Sequence, residues 1–97
     1  MNEDEPLSVV VVWWRDAHQL VSGWSDSISD VQNRIVLTAG LLLPDAKPEH
    51  VCVLQSLDSE LNMDAAIAIP VELVYEIKTV GRQINFSREV KRLCGGK

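Results

Sequence analysis

Arg34 to Leu57, RIVLTAGLLLPDAKPEHVCVLQSL, reads as two apolar runs folded back on each other across a short polar turn. From Ile35 the odd positions Ile35, Leu37, Ala39, Leu41 and Leu43 are all apolar, and an extended chain lines one face with them. Gly40 interrupts the other face; a lone glycine inside a strand marks a bulge or a sharp bend, as where a small barrel turns a corner. Pro44 has no amide hydrogen with which to continue a ladder. Pro44-Asp45-Ala46-Lys47-Pro48 supplies turn chemistry before Val51, Cys52, Val53 and Leu54 begin the return. So short a link makes the pairing antiparallel. The expected core of this hairpin is Leu37, Leu41, Val51 and Val53.

Outward from the hairpin, Ser8-Val9-Val10-Val11-Val12-Trp13-Trp14 has the strongest β propensity in the chain, and Arg15-Asp16 is expected to end it. It is apolar on both faces. One face fills a barrel interior, and the other needs the tail, the following loop or another subunit, since large exposed apolar patches are rare on monomers. His18 to Asn33 lacks periodicity and reads as a long loop, with a short helical turn over Ala17 to Val21. Downstream, Asp58 to Asp64 is a polar connection and Ala66 to Ile69 a short strand. Pro70-Val71-Glu72 is a tight or single 3₁₀ turn. Leu73 to Thr79 alternates, with Leu73, Tyr75 and Ile77 on one face and Glu76 and Lys78 on the other, and Gly81 ends it. Ser87 caps a short helix over 87–94, with Gly95-Gly96 beyond its end.

The expected fold is therefore mainly β: a small five-stranded antiparallel SH3-like or Sm-like barrel with a long first loop and a short C-terminal helix. The organisation is an acidic leader over 1–6, one barrel domain over 7–81 and a basic tail over 82–97. A hydrophobic fraction of 46% with 5% aromatic residues is ordinary for a globular domain. Leu7 to Trp14 is too short to span a bilayer and follows Asn2-Glu3-Asp4-Glu5, the opposite of a signal peptide's basic start, so no membrane partner and a cytoplasmic location are expected. Cys52 and Cys94 are too few for a disulfide framework and fit a reducing compartment.

Charge divides unevenly. Residues 1–77 carry three Lys/Arg against thirteen Asp/Glu, whereas 78–97 carry six against one. The acidic body disfavours nucleic acid as a partner, while the basic tail, with Arg82, Arg88, Lys91 and Arg92, suits a local anionic contact or docking on an acidic neighbour. Trp24, flanked by Ser22, Gly23 and Ser25, either anchors its loop or stacks on a ligand or partner. Trp13 and Trp14 point to opposite faces if extended. Val10, Val12 and Trp14 are the expected oligomer interface. His50 and Cys52 share a strand face, with His18 or Cys94 as conceivable further ligands, but the spacing is not that of a structural zinc site, and no metal or other cofactor is expected. Asp58, Glu60 and Asp64 lack the turn glycine and terminal glutamate of a calcium loop and read as a solvated turn. A lone cysteine in a buried strand lacks the setting that activates a thiolate, and no enzyme activity is expected.

Trp14-Arg15-Asp16-Ala17, Gly23-Trp24, Thr38-Ala39-Gly40-Leu41-Leu42, Gln55-Ser56-Leu57, Ile69-Pro70 and Glu76-Ile77, in this order and spacing over residues 9 to 80, form a pattern that resembles small uncharacterised proteins encoded by tailed bacteriophages and prophages. Trp13 and the tail from Arg82 fall outside it. The resemblance implies a small barrel in the cytoplasm of an infected bacterium and no activity. Together these readings lead to a non-enzymatic, phage-encoded homo-oligomeric binding protein. It would sequester or inhibit a host or defence component, either a protein or a small nucleotide signal. An Sm-like binder of single-stranded RNA or DNA and a virion structural or assembly accessory are the alternatives.

Overall fold

Four consecutive valines and two tryptophans favour extended backbone, and the strand they seed, β1 (Pro6–Gln19), is the spine of the sheet. A computed structural model describes residues 5–19 and 31–95. Within them β1 is followed by β2 (Val31–Leu43), β3 (His50–Leu57), β4 (Met63–Pro70), a 3₁₀ turn (Val71–Leu73), β5 (Val74–Asn85) and the helix α1 (Phe86–Cys94). The strands form one open antiparallel sheet in the order β4-β3-β2-β1-β5.

β1 pairs with β2 from Val9↔Leu41 to Gln19↔Val31 without a break, and on its other side with β5. β3 meets β2 only over Leu41–Leu43, opposite Leu54–Cys52, and then continues beside β4. The change happens at Gly40. A Cβ there would lie 2.5 Å from the Leu54 carbonyl oxygen and 2.8 Å from Val53 Cγ1, so only glycine lets β2 press this closely onto β3.

The sheet is curled rather than flat. Four strand spacings of about 4.8 Å would separate the edge strands β4 and β5 by about 19 Å. Only the three residues Val71–Leu73 join them, and a 3₁₀ turn rises about 2 Å per residue. Val71 N–H donates to the Glu49 carbonyl at 3.0 Å, holding this crossing against the start of β3. The core sits on the concave face: Val10, Val12, Val53 and Ile69 are buried together, with Trp14, Leu42, Val51 and Val74 packed against them, so all five strands contribute. Each such aliphatic side chain gains about 1.5–3 kcal/mol by leaving water. Cys52, Val53 and Leu54 are buried in succession, so this part of β3 is covered on both faces.

Several expectations are corrected here. β1 does not stop at Arg15-Asp16, and Ala17 lies in it rather than in a helical turn; the unbroken ladder with β2 carries the hairpin outward to Gln19 and Val31. The rest of the expected loop, with Trp24, lies outside the described residues. Gly81 does not end the last strand: its φ of +72° forms an irregularity where β5 slips against Leu7–Val9, and the strand resumes to Asn85, so 82–85 belong to the sheet and not to a tail. Pro6, assigned to the leader, pairs with Asn85. The helix begins at Phe86 and is capped by Asn85, whose side-chain oxygen accepts from the Arg88 N–H at 3.0 Å; Ser87 already lies inside the first turn.

The largest correction concerns which face of β2 is inside. Its odd positions pair with the odd positions of β1, as in Trp13↔Leu37, and these look outward. Leu37 is 50% exposed and Ile35 67%, while Val36, Thr38 and Leu42 turn toward the core. On β5 a register shift opposite Trp13–Trp14 brings Val74 inward and leaves Tyr75 exposed.

Candidate functional site

Trp13 and Trp14 occupy opposite faces of β1, as their adjacency in an extended strand requires. Trp14 turns toward the core, where its indole Nε1–H donates to Thr38 Oγ1 at 2.9 Å. Val10 and Val12 on the same face are wholly buried within the chain. These three residues, expected as an oligomer interface, are thus taken up by the chain's own core, and a contact between copies through β1 has to use its other face. There Trp13, 39% exposed, lies opposite Leu37, with Ile35 beside it on β2 and Val80 on β5 also exposed. On β5 the residue opposite Trp13 is Glu76, ion-paired with Lys78, and Val80 stands further along opposite Val9, so among the described residues the apolar patch of Trp13, Leu37 and Ile35 spans β1 and β2 and is bordered by charge on β5. Arg15, opposite Ile35, has a buried Nε with no hydrogen-bond partner among the described residues.

The basic residues form a second feature. Arg82 is exposed on β5 just beyond the Gly81 irregularity. Arg88, Lys91 and Arg92 are exposed on α1, three and four residues apart and so on one face. Arg92 is engaged: its Nη2 and Nε both donate to Glu89 Oε2, at 2.7 and 2.8 Å. Lys91 and Arg92 also stand in the last turn, where the helix dipole favours positive charge. Phe86 and Val90 are half-buried on the opposite side of the helix.

The acidic connection is its own ligand. Asp58 Oδ1 accepts from the backbone N–H groups of Glu60 and Asn62, both at 2.9 Å, and Oδ2 accepts from Asn62 Nδ2 at 3.0 Å. These hydrogen bonds, those from Asn62 foremost, hold the Asp58 carboxyl below the usual carboxylate range. His50 Nδ1 is 2.8 Å from the Pro48 carbonyl and Cys52 is buried, while Cys94 is exposed at the end of α1. Among the described residues no group of three His, Cys, Asp or Glu side chains is placed to hold a metal ion.

A third feature has no counterpart in the sequence reading. Where β2 and β3 part at Gly40, a cleft of about 260 Å³ opens, lined by Thr38, Ala39, Val53, Gln55, Ala65, Ala66 and Ile67. Ala65 has a φ of +58°, unusual for a residue with a Cβ, and here the β3–β4 ladder skips from Leu54↔Ala66 to Ser56↔Asp64.

No family model, curated protein or solved structure matches the chain. The candidate sites are therefore the outer apolar patch, the basic face of α1 and the β2–β3 cleft, each defined by its own geometry. No helix among the described residues is long and apolar enough to cross a membrane.

Proposed function

We propose that this chain is a non-enzymatic binding protein, encoded by a phage and acting in the host cytoplasm, that self-associates and sequesters or inhibits a host or defence component. The observation that carries it is the exposed outer patch of Trp13, Ile35 and Leu37, bordered on β5 by the Glu76–Lys78 ion pair. An exposed apolar patch rimmed by charged residues marks an interaction surface, and aromatic side chains dominate the energetics of such surfaces. The strand order, the curl and a core drawn from all five strands support a closed SH3-like or Sm-like barrel as the finer description of the fold. An acidic body favours a protein target over nucleic acid.

The test joins light scattering on the purified protein with affinity capture from infected or defence-bearing bacteria and mass analysis of whatever co-purifies. Self-association that Leu37→Asp abolishes, with a stoichiometric target in the capture, is the expected result. A strict monomer at high concentration would remove the self-association, and a capture without any stoichiometric partner would remove the sequestration.

One observation favours a second reading, an Sm-like binder of single-stranded RNA or DNA: Arg88 and Lys91 stand exposed on one helix face beside Arg92. Such binding would weaken steeply with salt. Substituting all three residues would flatten the logarithmic slope by about two, at roughly 0.7 per phosphate contact on a single strand. No mobility shift with any single-stranded oligonucleotide at low salt would eliminate it.

A further inference from the structure

The cleft between β2 and β3 is more than a gap in packing. From Arg34 to Gly40, β2 is paired with β1 on one side and with no described strand on the other. β3 runs on past Leu54 to Leu57, paired with β4 alone. The two strands diverge from Gly40 with their facing main-chain N–H and C=O groups outside any ladder. Such groups are strong, obligatory hydrogen-bonding partners and a ready template for another extended chain.

The side chains at the apex define what fits. Ala39, Val53, Ala65, Ala66 and Ile67 give an apolar wall. Thr38 Oγ1 already accepts from Trp14 and keeps its own hydrogen to donate. Gln55 brings an exposed carboxamide, both donor and acceptor. The lining carries no charge, which disfavours a phosphate-bearing occupant. At about 260 Å³ the cleft is also smaller than the roughly 300–1,000 Å³ usual for small-molecule sites. The left-handed Ala65 stands at the same place, and backbone held in a sparsely populated region clusters at ligand clamps.

We propose that this wedge binds an extended peptide segment of a target protein, which adds to the free edge of β2 as a strand and seats one apolar side chain between Val53, Ala66 and Ile67. Main-chain pairing supplies affinity and the cleft supplies specificity, the usual division in strand addition. The inference deepens the sequestration reading, on which it rests, by making the target a protein and naming the part of it that is held.

The experiment pans a random peptide display library on the full chain. The strongest binder is then synthesised in two versions, each N-methylated on one alternate set of residues. One set should lose affinity by at least about tenfold and the other should be nearly unaffected, because only alternate residues of an added strand face β2. Ala66→Trp, which fills the cleft from an exposed position, and Ile67→Lys, which charges it, should each cost about as much while leaving circular dichroism unchanged. A library without enrichment would overturn the proposal, as would binders indifferent to both variants or equally sensitive to both methylated sets. If instead self-association weakens in Ala66→Trp, a second copy occupies the wedge and the proposal fails. A cellular target captured equally by the parent and Ala66→Trp keeps the sequestration reading and removes the cleft. Cleft-dependent peptides with no cellular target do the reverse.

Discussion

Replacing Gly40 by alanine tests the close approach of β2 to β3. The added Cβ would stand 2.5 Å from the Leu54 carbonyl oxygen, a main-chain atom held beside the Leu41↔Leu54 pair, and 2.8 Å from the buried Val53. Neither neighbour is the free end of a flexible side chain, so β2 has to lift off β3. Overpacking of this kind costs about 1–3 kcal/mol. Against it, alanine lowers the entropy of the unfolded chain, a gain of about 0.4–1 kcal/mol. The net loss is about 1.3 kcal/mol at mid-range and up to about 2.6 kcal/mol; the mid-range value corresponds to roughly 5–10 °C in melting temperature for a domain of this size. Thermal and urea melts followed by circular dichroism measure it. Gly81 is the control, because its surroundings are empty and only its φ of +72° resists a side chain. Gly81→Asn should therefore be milder than Gly81→Ala, since asparagine tolerates the left-handed region. At position 40 asparagine should be worse than alanine. A Gly40→Ala protein that melts at or above the parent temperature would refute the contact between β2 and β3.

Three further outcomes follow from the same geometry. Trp14→Phe and Thr38→Val each break the 2.9 Å indole–hydroxyl bond and should each cost about 0.5–1.5 kcal/mol, with the double variant losing less than the sum; strict additivity would show that the bond contributes nothing. Val12→Asp places an unpaired charge in the core and should prevent folding, whereas Leu37→Asp, on the outer face of the partner strand, should fold with near-parent stability. Equal effects in a solubility and denaturation screen would reverse the assignment of faces. Because folding lowers the Asp58 pKa, its contribution is present above the unfolded pKa and is lost as pH falls through the lower, folded value. Amide chemical shifts of Glu60 and Asn62 should thus titrate with a midpoint below that of a free aspartate. Titration at or above the range of a free aspartate would contradict the turn.

The strands were legible because their punctuation is local. Pro44 and Pro70 end ladders wherever they stand, and the 3₁₀ turn after Pro70 lies where the sequence puts it. Gly40 was readable as a special position, but the ladder to β1 runs through it without a bulge, and what requires glycine is the close contact with β3. The facing of β2 was not legible. Ile35, Leu37 and Leu41 look like a core stripe by hydrophobicity, but parity is set by the ladder to β1, and that register depends on residues far away in sequence. The same omission led to Val10, Val12 and Trp14 being read as an interface. A strand apolar on both faces gives no sign of which face the rest of the chain will cover. The cleft was beyond reach for a related reason: it is made by the place where a ladder stops, and no single residue encodes an ending shared by two strands.

The pairing of Pro6 with Asn85 and of Leu7 with Ile84 has a consequence for how the molecule is made. β1 takes as one neighbour a strand made only after β2, β3 and β4, so this flank of β1 stays open until β5 has been synthesised. Throughout that interval Val10, Val12 and Trp14 can pack against β2, β3 and β4, but the β5 edge of β1 has no strand to pair with. The time taken to translate from β2 to β5 sets how long this edge is on display, and slow codons there would be expected to lower the yield of folded protein.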